Sequence, residues 1–115
     1  MIFQNSPFEI LDKAFKNLYP DKSYIAFIDV DMKDESGEKV YGCTQFNDCD
    51  TPIIFIDSSL SIQNAIEIFA HELAHVAVGA EEEHGKLWEK AFDEIQSEYN
   101  RIGEELWEQK RNNLK

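Results

Sequence analysis

Apolar residues change their spacing along the chain, and each change marks an element. Between residues 7 and 19 they fall at Phe8, Leu11, Phe15 and Leu18, one face of a helix. Ser6 carries the side-chain oxygen that an N-cap needs, and Pro7 suits the first helical position. Tyr19 ends the run, because a residue before proline is pushed out of helical backbone. Residues 24–30, Tyr-Ile-Ala-Phe-Ile-Asp-Val, are rich in strand formers. Asp34-Glu35-Ser36-Gly37 reads as a turn, and a second strand is expected over about 39–46. Asn47-Asp48-Cys49-Asp50 is another turn, and residues 51–57 form a third strand with Pro52 at its start or on an edge. With two connections of hairpin length, the simplest arrangement is a three-stranded, mainly antiparallel sheet.

The helical period then returns. Ser61 is a good N-cap, and Ile62, Ala65, Ile66, Phe69, Ala70, Leu73, Val76 and Ala77 make one apolar face up to Gly79, which stops the helix. After Ala80 and an expected exposed loop of three glutamates, Glu81 to Glu83, a long helix runs over about 84–110. Its stripe is Leu87, Trp88, Phe92, Ile95, Tyr99, Ile102 and Leu106. The expected fold is α+β in the order α-β-β-β-α-α. No repeat or Pro/Gly/Ser-rich linker divides the chain, so residues 1–115 are expected to form a single domain.

Composition narrows the possible partners. The 115 residues are 43% hydrophobic and carry a formal net charge of −12, with no concentrated basic patch. Nucleic acid recognised through its phosphates would be repelled, so no nucleic-acid partner is expected. No apolar run approaches the roughly 20 residues of a membrane span, and Glu9 and Asp12 stand where a leader would be basic and apolar. The expectation is a cytoplasmic, unprocessed protein with no membrane association. Cys43 and Cys49, with five residues between them, lack the spacing of a zinc knuckle and are expected to be reduced.

The chemistry concentrates in residues 71–88, HELAHVAVGAEEEHGKLW, which hold all three histidines of the chain. His71 and His75, at i and i+4 on a helix, project side by side and can supply two corners of a zinc tetrahedron. Glu72 follows His71 directly, close enough to act on a water at the metal without being a ligand. Two imidazoles, zinc and a neighbouring carboxylate are the requirements for metal-assisted hydrolysis, with Glu72 as general base. A catalytic zinc needs a third protein ligand and an open position. His84 is the candidate, because Gly79 lets the chain turn back. Glu89, Asp93 and Glu94 are the carboxylate alternatives. The metzincin pattern HExxHxxGxxH is excluded, since positions 78 and 81 are Val78 and Glu81. Tyr41, Tyr99 and Arg101 could stabilise an oxyanion by residue type alone, and Asp57, Asn64 and Asp93 could orient ligand imidazoles.

HELAH, a short glycine-containing loop, and then His84-Gly85-Lys86-Leu87-Trp88 at the head of a helix resemble the SprT-like zinc metallopeptidases, whose third ligand is the histidine of an HGxxF/W element. The minigluzincins are the nearest competitor, with a glutamate as third ligand. The resemblance covers roughly residues 8–105. It implies a zincin-like fold, one zinc per chain held by His71, His75 and His84, and hydrolysis of peptide bonds in a peptide or unfolded protein. It also implies that an edge strand beside the active-site helix, about residues 53–57 or its sheet neighbour, binds the substrate in extended form. DNA-repair members of the group carry a zinc ribbon or basic DNA-binding segments, and this sequence shows neither. The rival expectations are a zinc-bound but non-proteolytic binding or regulatory module on the same fold, and a hydrolase of another amide.

Overall fold

The computed structural model describes residues 6–47, 51–80 and 84–113. Ser6 opens the first helix, α1 (Pro7–Leu18), by accepting a hydrogen bond from the Glu9 backbone N–H at 3.2 Å. Ser61 does the same for α2 (Ile62–Val78), accepting from Asn64 N–H at 3.2 Å. Both caps satisfy a backbone donor that the first helical turn leaves without a partner. Between them lie three short strands, β1 (Ile25–Asp29), β2 (Gly42–Gln45) and β3 (Ile53–Asp57), and α3 (Lys86–Asn113) follows α2. The α+β class and the order of elements are those expected from the periodicity.

The sheet differs from expectation. Its order is β1-β3-β2, with β1 parallel and β2 antiparallel to β3, so it is mixed rather than mainly antiparallel. The link between β1 and β2 is not a simple hairpin turn. It folds on itself through a Lys33–Lys39 bridge and the Asp34–Gly37 turn, which frees β2 to pair elsewhere. The centre goes to β3, whose Ile54 and Ile56 are buried, while all five residues of β1 are exposed. Burying the most apolar strand between two neighbours removes the most apolar surface from water.

Asp57, at the end of β3, holds this arrangement together. Its buried carboxylate accepts hydrogen bonds from Lys39 Nζ at 2.8 Å, Met32 N–H at 3.0 Å, Ser59 N–H at 3.0 Å and the Ser59 hydroxyl. The Lys39 contact and these hydrogen bonds keep the acid well below the usual carboxylate range. The sequence offers Asp57 for orienting an imidazole; the structure instead has it clamp the β1–β2 link to the central strand.

Of the helices, α2 lies against the sheet, on one face of β2 and β3. Paired residues share a face, so Ile54 and Ile56 set the inward direction, and Gly42 and Thr44 of β2 point the same way, toward α2. α2 packs against β2, β3, α1 and α3, which is why it buries Ala65, Phe69, Ala70, Leu73, Ala74 and Val76. Leu11 and Phe15 of α1 and Ile95 of α3 close the core. Each large apolar side chain buried here contributes about 1.5–3 kcal/mol. Two positions of the expected stripes are exposed: Ile62 and Leu87 lie in the first turns of their helices and are 64% and 61% exposed. No helix among the described residues is long and apolar enough to cross a membrane.

Candidate metal centre

His71 and His75 stand one turn apart on α2, ring centroids 5.0 Å from each other. The helix stops after Val78 because Gly79 adopts φ 93°, a left-handed backbone open to glycine, with its N–H bonded to the His75 carbonyl at 2.9 Å. Glu81 to Glu83, expected to form an exposed loop, lie outside the described residues. Beyond them the chain has come back over α2. His84 Nε2 lies 2.9 Å from His71 Nε2 and 3.1 Å from His75 Nε2.

Three ring nitrogens converging on one point make a poor hydrogen-bond network, since each neutral nitrogen is either donor or acceptor. They make a good tripod. Nitrogens on a tetrahedral ion with bonds of about 2.0–2.1 Å would stand about 3.3 Å apart, close to the two spacings to His84, and all three ligand atoms lie within 4.8 Å of one another. Among the described residues, these three form the group placed to hold a metal ion. The carboxylate alternatives do not join it: Glu89 and Asp93 are exposed on α3, and the Glu94 carboxylate lies 4.0 Å from Lys90 Nζ.

The electrostatics suit ligation. Burial, followed by the neighbouring His75 and His84, pushes His71 down from 6.5 to about 4. Burial and His84 lower His75 as well. Both rings are therefore neutral at neutral pH, the form in which an imidazole binds a metal. The stability consequence has a definite sign. In the unfolded chain His71 takes its proton near 6.5, while in the folded metal-free protein it resists until about 4. The unfolded state binds the extra proton between those values, so the metal-free protein should lose stability as pH falls through that window. Urea midpoints measured in chelator across the window check this. A midpoint that stays level or rises as pH falls would contradict it.

Trp88, in the first turn of α3, lies against all three histidines. Its Nε1–H donates to the His71 carbonyl at 3.3 Å, and its ring lies 4.7, 5.8 and 4.9 Å from the centroids of His71, His75 and His84. Phe92 stacks on the Trp88 ring at 5.1 Å. The sequence places Trp88 in a core stripe; the structure gives it a second task, as a wall that restricts all three imidazoles.

Glu72 is 6% exposed, and burial raises its pKa despite the opposing effects of Thr44 and His84. The Thr44 hydroxyl donates to Glu72 Oε1 at 2.8 Å. Beside it, Gly42 leaves room for the carboxylate. A Cβ there would sit 3.3 Å from Glu72 Oε2 and only 2.4 Å from Ile68 Cγ2. Sequence reasoning missed Gly42 and Thr44. Their signal is an alternate-residue pair on one strand face, and its meaning depends on knowing that this strand lies against α2.

Other sequence candidates are engaged elsewhere. Arg101 bonds Glu98 at 2.6 Å and Glu105 at 2.9 Å, both on its own helix. Tyr99 lines a groove with Leu11 and Ile66 between the three helices, and Tyr41 is exposed with Lys39 Nζ 5.8 Å from its ring centroid. Asn64 and Asp93 are exposed. The strand over 53–57 is the central β3, flanked on both sides, so it offers no edge. Its sheet neighbour β2 is the edge strand beside α2. Cys43 is half-buried on β2; Cys49 lies outside the described residues.

Comparison with known protein families, with curated proteins and with solved structures found no match.

Proposed function

We propose that the chain is a zinc-dependent metallopeptidase with a zincin-like arrangement, in which His71, His75 and His84 hold one zinc and Glu72 is the general base. The observation that carries this reading is the convergence of His71 Nε2 and His75 Nε2 on His84 Nε2, at 2.9 and 3.1 Å, with the buried carboxylate of Glu72 on the helix that bears the first two. Three imidazoles, with His84 exposed, match a catalytic zinc site that keeps one position open, whereas a structural site closes all four positions. The resemblance of HELAH and HGKLW to the SprT-like metallopeptidases agrees with it.

Zinc in such a site supplies Lewis acidity, lowering the pKa of a water toward about 7 and polarising the substrate carbonyl. The chain's own residues do the rest. Glu72, its pKa raised by burial, takes the proton of the attacking water and returns it to the leaving amine. Trp88 keeps the imidazoles in place. The outer edge of β2 adds an extended peptide as a further strand, so that backbone hydrogen bonds give affinity with little demand on sequence. An unfolded or extended polypeptide is the substrate class this edge fits.

Incubation of the zinc-loaded protein with a peptide library should yield cleavage products, read by mass spectrometry. A chelator should stop the reaction and added zinc should restore it. Zinc bound stoichiometrically with no cleavage would favour the non-proteolytic module. Products from a non-peptide amide alone would redirect the reading to another amide hydrolase.

A further inference from the structure

We infer that Thr44 is a positioning residue for Glu72, and that it divides the work of the two carboxylate oxygens. The inference rests on the reading of Glu72 as general base. Thr44 and Gly42 alternate on the inner face of β2, opposite Ile54 and Ile56 of β3, and both reach α2 at Glu72. Thr44 Oγ1 lies 2.8 Å from Glu72 Oε1, and the Glu72 backbone carbonyl is farther off at 3.5 Å. A hydroxyl has one proton to give, so the carboxylate receives it.

A carboxylate on a two-carbon stem rotates freely unless something holds it. Thr44 holds one oxygen. The other, Oε2, lies on the side where Gly42 has no side chain, 3.3 Å from where a Cβ would stand. Oε1 is thus the anchored oxygen and Oε2 the one left for proton transfer. The same strand that presents its outer edge to an extended peptide therefore orients the base with its inner face. Displacement of β2 and misorientation of Glu72 become a single event. Fixing a catalytic group in its productive geometry acts on turnover rather than on substrate affinity.

Thr44→Val keeps the side chain's size and removes the hydroxyl; Thr44→Ser keeps the hydroxyl. With a peptide substrate, Thr44→Val should lower kcat at least about tenfold with KM and zinc content unchanged. Thr44→Ser should stay within about twofold of the parent. A parent-like kcat in Thr44→Val, or equal loss in both variants, would overturn the inference. If Glu72→Gln retains activity, it is the general-base reading that fails. The contact itself is tested without turnover. Thr44→Val should lower the melting temperature of the parent more than that of Glu72→Ala. Equal shifts in the two backgrounds would show that the hydroxyl and the carboxylate are not coupled, which also overturns the inference.

Discussion

Glu72→Gln should leave zinc binding intact and lower the turnover of peptide substrate by about a hundred- to ten-thousandfold, the range that a positioned acid–base group contributes. The substitution is nearly isosteric. Glutamine can still accept the Thr44 hydroxyl through its carbonyl oxygen, so the 2.8 Å contact between β2 and α2 survives in kind. What disappears is the ability to take a proton. Burial has raised the pKa of Glu72, which brings its basicity nearer to that of the group it deprotonates. KM should change little, because the carboxylate has no part in holding the peptide along β2. Steady-state kinetics together with metal analysis separate these effects. Wild-type turnover in the glutamine form would remove Glu72 from the chemistry. Loss of zinc together with activity would make Glu72 part of the metal's support instead.

The second large effect concerns His84. It is exposed and comes from outside α2, so its removal leaves the packing around Leu73 and Ile95 untouched. Two imidazoles on one helix turn are then left to hold the ion alone. Removing an outer partner of a ligand typically costs 10–100-fold in metal affinity, and losing the ligand itself should exceed that. His84→Ala is expected to weaken zinc binding at least about a hundredfold, or about 2.7 kcal/mol. The fold should remain, with the far-ultraviolet circular dichroism of the metal-free protein. A competition titration against a chromophoric chelator gives the ratio directly. Undiminished affinity would mean that another group completes the shell.

The two halves of the site differ in how far the sequence discloses them. His71 and His75 are legible because helical spacing alone puts i and i+4 on one face, and the caps at Ser61 and Gly79 delimit the helix that carries them. His84 is legible one step further, since Gly79 must reverse the chain and α3 must then run back along α2. Thr44 is not legible, because its role depends on which strands are neighbours. The expectation that strands adjacent in sequence pair with each other placed β1 beside β2, whereas β3 separates them. The cause is local. The Lys33–Lys39 bridge and the Asp57 clamp absorb the β1–β2 link, so its length says nothing about pairing. Asp57 shows the same limit from the other side. A carboxylate at the end of a strand could orient a ligand, but Lys39 and two backbone N–H groups claim it first. Periodicity therefore locates the helices and the paired histidines of α2, while the sheet's order, and with it the partner of Glu72, is visible only in the structure.

The most direct test of the metal centre is X-ray absorption at the zinc edge of the protein loaded with one equivalent of zinc. Three imidazole nitrogens and one further light atom, all at about 2.0–2.1 Å, are expected, with no sulfur. A sulfur neighbour near about 2.3 Å, which would bring in a cysteine, or fewer than three imidazoles around the ion, would contradict the tripod of His71, His75 and His84.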